Sequence, residues 1–268
     1  MNERLSRRRF LSVGGLAVPG FLLWGGPALA RQRPAAGAAD AAVVEDLVAA
    51  NLILAREQVL DAFGHVSVRH PARPDHFLLA RSVAPALVGA ADLMEYDLDA
   101  NPVDARGRAS YRERFIHSEI YRARSDVRAV VHCHTASLIP FGVTGVPLRP
   151  IYHQSAFIAE GVPVFEIRDA AGMTDMLIGD ARLGRALAQT LGSRPAVLMR
   201  GHGAVLVGDS IPTVVGRSVY LDLSARAQAQ AMAFGGTITY LDAEEARRYV
   251  APNNYDRAWE LWKRQVSR

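Results

Sequence analysis

Three histidines in this chain could hold a metal ion. His132 and His134 flank Cys133, and His202 sits further on in the run Arg200-Gly-His-Gly203. The residues just before the first pair, Val-Arg-Ala-Val-Val (127–131), are apolar and β-branched, which predicts a buried strand. Side chains alternate along a strand, so His132 and His134 share a face and Cys133 points to the other, as a core thiol. His202 follows a second apolar run, Pro-Ala-Val-Leu-Met (195–199), and its flanking glycines allow a tight approach of the backbone. Three imidazoles leave one or two coordination positions open, the arrangement of a catalytic metal site. Imidazole suits zinc, iron, manganese and cobalt alike, so residue types do not choose among them.

The elements that must position these groups read as a mixture of helices and short strands. Ala41 to about Ala62 predicts an amphipathic helix. Strands are expected at His65–Arg69, Phe77–Ala80, Val162–Phe165 and Ala196–Met199. Leu93–Asp97 and Arg108–Tyr111 flank a turn-rich segment and read as a hairpin. Helices are expected at Ile116–Ser125, Ala136–Phe141, Ala181–Leu191, Ile211–Phe234 and, in the tail, Ala251–Gln265. This intermixing predicts an α/β domain whose sheet is mostly antiparallel, not a regular βαβ array. No Gly-x-Gly-x-x-Gly after a strand and no Walker sequence occurs, so nucleotide binding has no support.

The amino terminus is set apart. Ser6-Arg-Arg-Arg-Phe-Leu11 precedes an apolar stretch to about Trp24, and Ala28-Leu-Ala30 offers small residues for cleavage. Residues 1–30 therefore read as a twin-arginine signal peptide, giving a periplasmic or secreted protein that meets a membrane only during export. Residues 31–40 read as a linker, and 41–268 as one domain. The signal holds four Arg and one Glu, so removing it takes the formal net charge from +4 to +1. The basic balance then gives no ground for a nucleic-acid partner. One cysteine excludes an internal disulfide, and the single lysine, Lys263, lies in a charged tail helix, a poor place for Schiff-base chemistry.

Taken in order, Glu113-Arg-Phe-Ile-His117, Ala-Val-Val-His132-Cys-His134 and Arg-Gly-His202-Gly resemble the class II aldolase/adducin family, as does Gly64-His-Val-Ser-Val-Arg69. The resemblance spans roughly residues 41–245. It implies a three-layer α/β/α class II aldolase-like domain. It further implies a divalent metal, commonly zinc, on His132, His134 and His202, with Glu113 as acid/base or fourth ligand. Members are commonly homotetramers. Carbon–carbon cleavage beside a carbonyl leaves a carbanion, which a metal on the adjacent oxygens stabilises while a carboxylate moves the proton. Adducin-type members keep the fold and lose the metal histidines; this chain retains all three. His117 reads either as support for the site or as a buried core histidine.

Sugar-phosphate members bind phosphate with small glycine, asparagine and hydroxyl elements. Here the corresponding segments carry Gly64-His65, Arg81-Ser82 and Tyr111-Arg112, bulkier and more cationic. Arg81 and Arg112 would suit a carboxylate. Arg-Ser-x-Ala-Pro at 81–85 and the Glu113–Tyr121 run are similar to the branch of dihydroxyphthalate-type decarboxylases. The implied activity is a lyase that decarboxylates a hydroxylated aromatic acid, with retro-aldol cleavage as the alternative. His65, Arg81, Ser82, Arg112, Tyr152 and His153 are the expected substrate contacts on a carboxylate or carbonyl compound. Tyr111 and Tyr121 are further proton-donor candidates. An oxygen-using iron enzyme and a non-catalytic interaction module are the other readings of the same site.

Overall fold

The computed structural model describes residues 41–250 and 255–267; the signal and linker expected at 1–40 lie outside the described residues. Seven strands form one sheet: β1 (His65–Arg69), β2 (His76–Ala80), β3 (Leu93–Asp97), β4 (Ala129–Cys133), β5 (Val164–Phe165), β6 (Ala196–Met199) and β7 (Gly203–Gly208). Their spatial order is β3-β2-β1-β4-β7-β6-β5. All neighbours pair antiparallel except β5 with β6.

Each face of the sheet has its own core. Val66, Val131, Cys133, Leu198 and Leu206 pack under α1 (Ala41–Arg56), α6 (Ile211–Ala233) and α8 (Asp256–Val266). Phe77, Val130, Val197, Val205 and Val207 pack under α2 (Arg114–Ala123) and α5 (Ala181–Leu191) on the other face. The result is helix, sheet, helix, with strands buried on both faces reading as apolar runs. Shorter helices α3 (Ile139–Val143), α4 (Ile167–Ala171) and α7 (Ala243–Val250) complete the described chain.

Three local expectations need correction. The first helix stops at Arg56, where Gln58 adopts a left-handed backbone (φ 60°) and ends the helical run. Arg108–Tyr111 forms no strand; β3 pairs with β2 instead, and Arg108 turns its guanidinium onto the carbonyls of Ala91, Leu93, Asp104 and Ala105. The helix expected from Ala136 begins at Ile139, with Pro140 in its first turn, where a missing N–H costs nothing. Strand β7, next to β4 in the sheet, was not anticipated from the sequence, because its run Ala204–Val207 is short and enclosed by glycines.

Candidate metal centre

The β4 strand carries His132 on the α2/α5 face of the sheet and Cys133 on the opposite face, where the thiol is fully buried and burial pushes its pKa up. His134 lies one residue past the end of the strand. Gly203 opens β7 directly against this point. A Cβ there would stand 2.0 Å from the carbonyl oxygen of Cys133, so only glycine permits the approach. Gly201, with φ 64°, makes the left-handed turn that swings His202 beside His134. From across the site, Glu113 at the start of α2 reaches the same point while its Oε1 accepts the Ile178 N–H at 2.9 Å.

Four potential ligand atoms converge here, one each from Glu113, His132, His134 and His202, all within 4.8 Å of one another. His134 Nε2 is 3.1 Å from His132 Nε2 and 3.2 Å from His202 Nε2. Glu113 Oε2 is 3.5 Å from both His132 Nε2 and His202 Nε2. The edge of a tetrahedron around an ion with bonds near 2.0–2.1 Å is about 3.4 Å, and these separations match it.

The outer nitrogens decide what the inner ones can be. His132 Nδ1 faces the Ala204 carbonyl at 3.2 Å, His202 Nδ1 the Met176 carbonyl at 3.1 Å, and His134 Nδ1 both oxygens of Asp61 at 3.1 and 3.2 Å. Carbonyls and carboxylates only accept, so each Nδ1 must carry the proton. Each Nε2 is then a bare lone pair. Three lone pairs and a carboxylate facing one another repel unless a cation lies between them, so the donor set fits a divalent metal. Burial alone would raise the Glu113 pKa, but positive charge on its His132 and His202 side, of the kind a bound cation would supply, outweighs it and holds the carboxyl well below the usual range. Burial and the His132 ring lower His134, with Asp61 opposing.

Beside the cluster lies a second group of polar side chains. His65 pairs across the sheet with His132, and their rings are 5.1 Å apart. His65 Nδ1 is 2.6 Å from His117 Nε2; His117 Nδ1 is 2.6 Å from Ser67 Oγ; Ser67 Oγ is 2.8 Å from the Tyr121 hydroxyl. Burial pushes His65 well below an ordinary imidazole and His117 down to about 3, so both rings are neutral near pH 7.

The remaining expected contacts are placed as follows. Arg81 donates through Nε to Asp92 at 2.6 Å, and the Ser82 N–H binds the Ala109 carbonyl. Arg112 pairs with Asp175 at 2.6 Å on the surface. Tyr111 packs its ring at a tilt against His65 (4.6 Å) and donates its hydroxyl to the Val83 carbonyl; burial pushes its pKa up to about 12. Tyr152 and His153 begin a 3-10 turn that packs on α6 and α7; the Tyr152 hydroxyl reaches the Tyr220 carbonyl at 3.5 Å, and His153 abuts Tyr249. Within this chain they are not brought into the four-residue group. Sequence reasoning missed Asp61, Ser67 and the Met176–Ile178 loop. Asp61 did carry a signal, since Asp-Ala-Phe-Gly is a turn sequence and its Oδ1 accepts the N–H groups of Phe63 and Gly64 at 2.9 Å. A cavity of about 740 Å3 opens near Val127, Pro195, Gly208 and Arg217, at the other ends of β4, β6 and β7, and contains none of the four ligand candidates.

A two-core α/β/α domain with a His3Glu cluster able to hold a metal ion on one sheet face is the architecture of an aldolase-type domain. The chain belongs to the class II aldolase and adducin N-terminal domain family, whose model matches residues 45–229. It is similar to decarboxylase tropJ of Talaromyces stipitatus, with 38% identity over 239 residues, 80% of this chain and 90% of that one. The 3,4-dihydroxyphthalate decarboxylase of Arthrobacter keyseri is 26% identical over 84% of this chain and 92% of its own. Among solved structures, an aldolase II superfamily protein from Pseudomonas syringae superposes with a TM-score of 0.71 at 24% identity, covering 84% of this chain and 92% of that chain.

Proposed function

We propose that the protein is a metal-dependent lyase that decarboxylates a hydroxylated aromatic carboxylic acid. The observation that carries the metal half of this reading is the convergence of three unprotonated Nε2 atoms with a buried carboxylate. The decarboxylase half is supported by the two relatives named as decarboxylases and by the cationic residues where a phosphate cradle would need small ones. The same convergence speaks against a non-catalytic module, which would have no use for four donors aimed at one point.

Glu113, His132, His134 and His202 would hold the ion, with zinc the first expectation and manganese, cobalt and iron the alternatives. Such an ion supplies a Lewis acid that stabilises negative charge developing on adjacent substrate oxygens. In the reaction the ring–carboxyl bond breaks, carbon dioxide leaves, and the ring carbon keeps the electron pair and takes a proton. His65, whose ring lies beside that of His132, would contact substrate at the edge of the cluster. Arg81, Ser82 and Arg112 remain candidates for the carboxylate, provided the arginines exchange Asp92 and Asp175 for substrate. Tyr152 and His153 would act from a neighbouring subunit.

A homotetramer is part of the proposal. It is supported by exposed apolar side chains on segments that buttress the cluster: Phe63 (72% exposed) next to Asp61, and Met173 (89%) in the loop that carries Met176. Export through a twin-arginine signal at residues 1–30, with function outside the cytoplasm, is likewise proposed from the sequence. The test is carbon dioxide release by metal-loaded protein from a panel of dihydroxyphthalates and dihydroxybenzoates. Gas evolution that disappears on chelation is expected. An aldehyde product from a sugar or hydroxy-acid substrate, with no gas from any aromatic acid, would overturn the decarboxylase reading.

A further inference from the structure

Four histidines crowd one face of the sheet, yet they divide into two kinds. His132, His134 and His202 each hold a proton on Nδ1 and turn a lone pair inward. His65 stands on the adjacent strand, and its ligand atoms lie outside the converging set. Its Nδ1 is engaged by His117, and its Nε2 has no partner among the described residues. Nor is that Nε2 one of the sealed, partnerless atoms among the described residues, so it keeps a narrow opening even though His65 as a whole is 2% exposed, with its ring 5.1 Å from that of His132.

The far end of the chain of contacts settles which way the protons point. Tyr121 is 2% exposed, and among the described residues its hydroxyl meets Ser67 Oγ at 2.8 Å and the backbone N–H of Val130, which is only a donor. If Ser67 donated to Tyr121, the tyrosine proton would be buried with no acceptor, an arrangement that folded proteins avoid. Tyr121 therefore donates to Ser67. Ser67 then donates to His117 Nδ1. His117, whose Nδ1 accepts from Ser67, carries its proton on Nε2 and donates it to His65 Nδ1. His65, with Nδ1 accepting in turn, is left with its proton on Nε2.

We infer that Tyr121, Ser67 and His117 form a buried hydrogen-bonded chain that fixes His65 in the Nε2–H tautomer, making it a hydrogen-bond donor to an anionic substrate oxygen beside the metal cluster and not a further ligand. His117 is thus a positioning residue that acts through His65. The substrate class follows from the chemistry: a neutral N–H donor next to a Lewis acid suits a phenolate or carboxylate oxygen, whose remaining lone pair needs a partner that does not compete for the metal. The substrate assignment rests on the proposed decarboxylase function; the tautomer assignment does not.

The two parts separate experimentally. Nitrogen-15 NMR of the histidine rings in the zinc-loaded full chain reads each tautomer without any turnover. The expected result is an Nε2–H ring for His65 among Nδ1–H rings for the three ligands. A His65 ring with its proton on Nδ1 would overturn the inference, whatever the enzyme's substrate proves to be. Ser67→Ala cuts the chain and leaves His117 free to choose its tautomer, so the His65 Nε2–H signal should weaken or broaden while zinc content stays the same. Ser67→Cys, which keeps the volume but offers only a weak donor, serves if Ser67→Ala does not fold, and should weaken the His65 Nε2–H signal in the same way. Titration with 2,3-dihydroxybenzoate should shift the His65 Nε2–H resonance in the wild type. With any substrate the enzyme turns over, Ser67→Ala should lose about 10–100-fold in kcat/KM at unchanged metal occupancy, the range seen when supporting partners of a site are removed. An unchanged His65 tautomer in both variants would show that the chain does not set it.

Discussion

Of the three groups that orient the metal histidines, two are backbone carbonyls, Ala204 and Met176, and only Asp61 can be removed by substitution. Asp61→Ala is therefore the informative perturbation. It deletes two contacts of 3.1 and 3.2 Å to His134 Nδ1 and frees the ring to rotate or to move its proton to Nε2, where it would block the ion. Loss of such a partner costs about 10–100-fold in metal affinity. Asp61 has 48% of its side chain exposed, so water can replace part of the acceptor, and the expected loss is near the lower end, about tenfold or ~1.4 kcal/mol. Asp61→Asn keeps an oxygen that can serve His134 while accepting from Phe63 and Gly64, and should lose less. Zinc competition with a chromophoric chelator measures the ratio directly. Equal affinity in wild type and Asp61→Ala would refute the argument that this carboxylate sets the His134 tautomer. A loss equal in Asp61→Asn and Asp61→Ala would show that charge, and not the acceptor oxygen, is what matters.

Gly203→Ala should abolish metal binding, because its Cβ would lie 2.0 Å from the Cys133 carbonyl oxygen and must push β7 off β4 between the ligands; metal content and circular dichroism of the variant report it. Cys133→Ser should keep full metal content yet lose about 1–3 kcal/mol in urea denaturation, since it puts a hydroxyl into an apolar layer on the far face of the sheet. Metal-free protein should lose stability as the pH falls from about 6.5 toward 3. The buried His117 is held neutral, with its pKa lowered to about 3, so in that window the unfolded chain binds the extra proton. This one imidazole contributes a slope of up to about 1.4 kcal/mol per pH unit, and His117→Gln should flatten the profile measured by denaturant titration at each pH.

The ligand set was the most legible part of the site, because His-x-His at the end of a β-branched run can only share a face, and Gly-His-Gly marks a bend. Glu113 was legible as a residue but not in its placement. From the sequence it could be a proton carrier or a ligand, and the structure seats it among the three Nε2 atoms with its other oxygen committed to Ile178. The orienting carbonyls of Ala204 and Met176 leave no trace in residue identity, since any residue supplies a carbonyl. Ser67 reads as an ordinary strand residue and Tyr121 as a proton-donor candidate; that the two meet shows only once the sheet brings β1 under α2. The false hairpin at Arg108–Tyr111 has a similar cause: alternation and turn residues are local, whereas β3 was claimed by β2 through the register Leu79 to Met94.

Whether Glu113, His132, His134 and His202 together hold one divalent ion is tested most directly by the metal content and X-ray absorption spectrum of the purified protein beside His134→Ala. About one ion per chain is expected, with three nitrogen ligands and at least one oxygen near 2.0–2.1 Å, and no ion in the variant. A protein that binds no metal even after reconstitution, or a His134→Ala variant that retains a full complement, would contradict such a site.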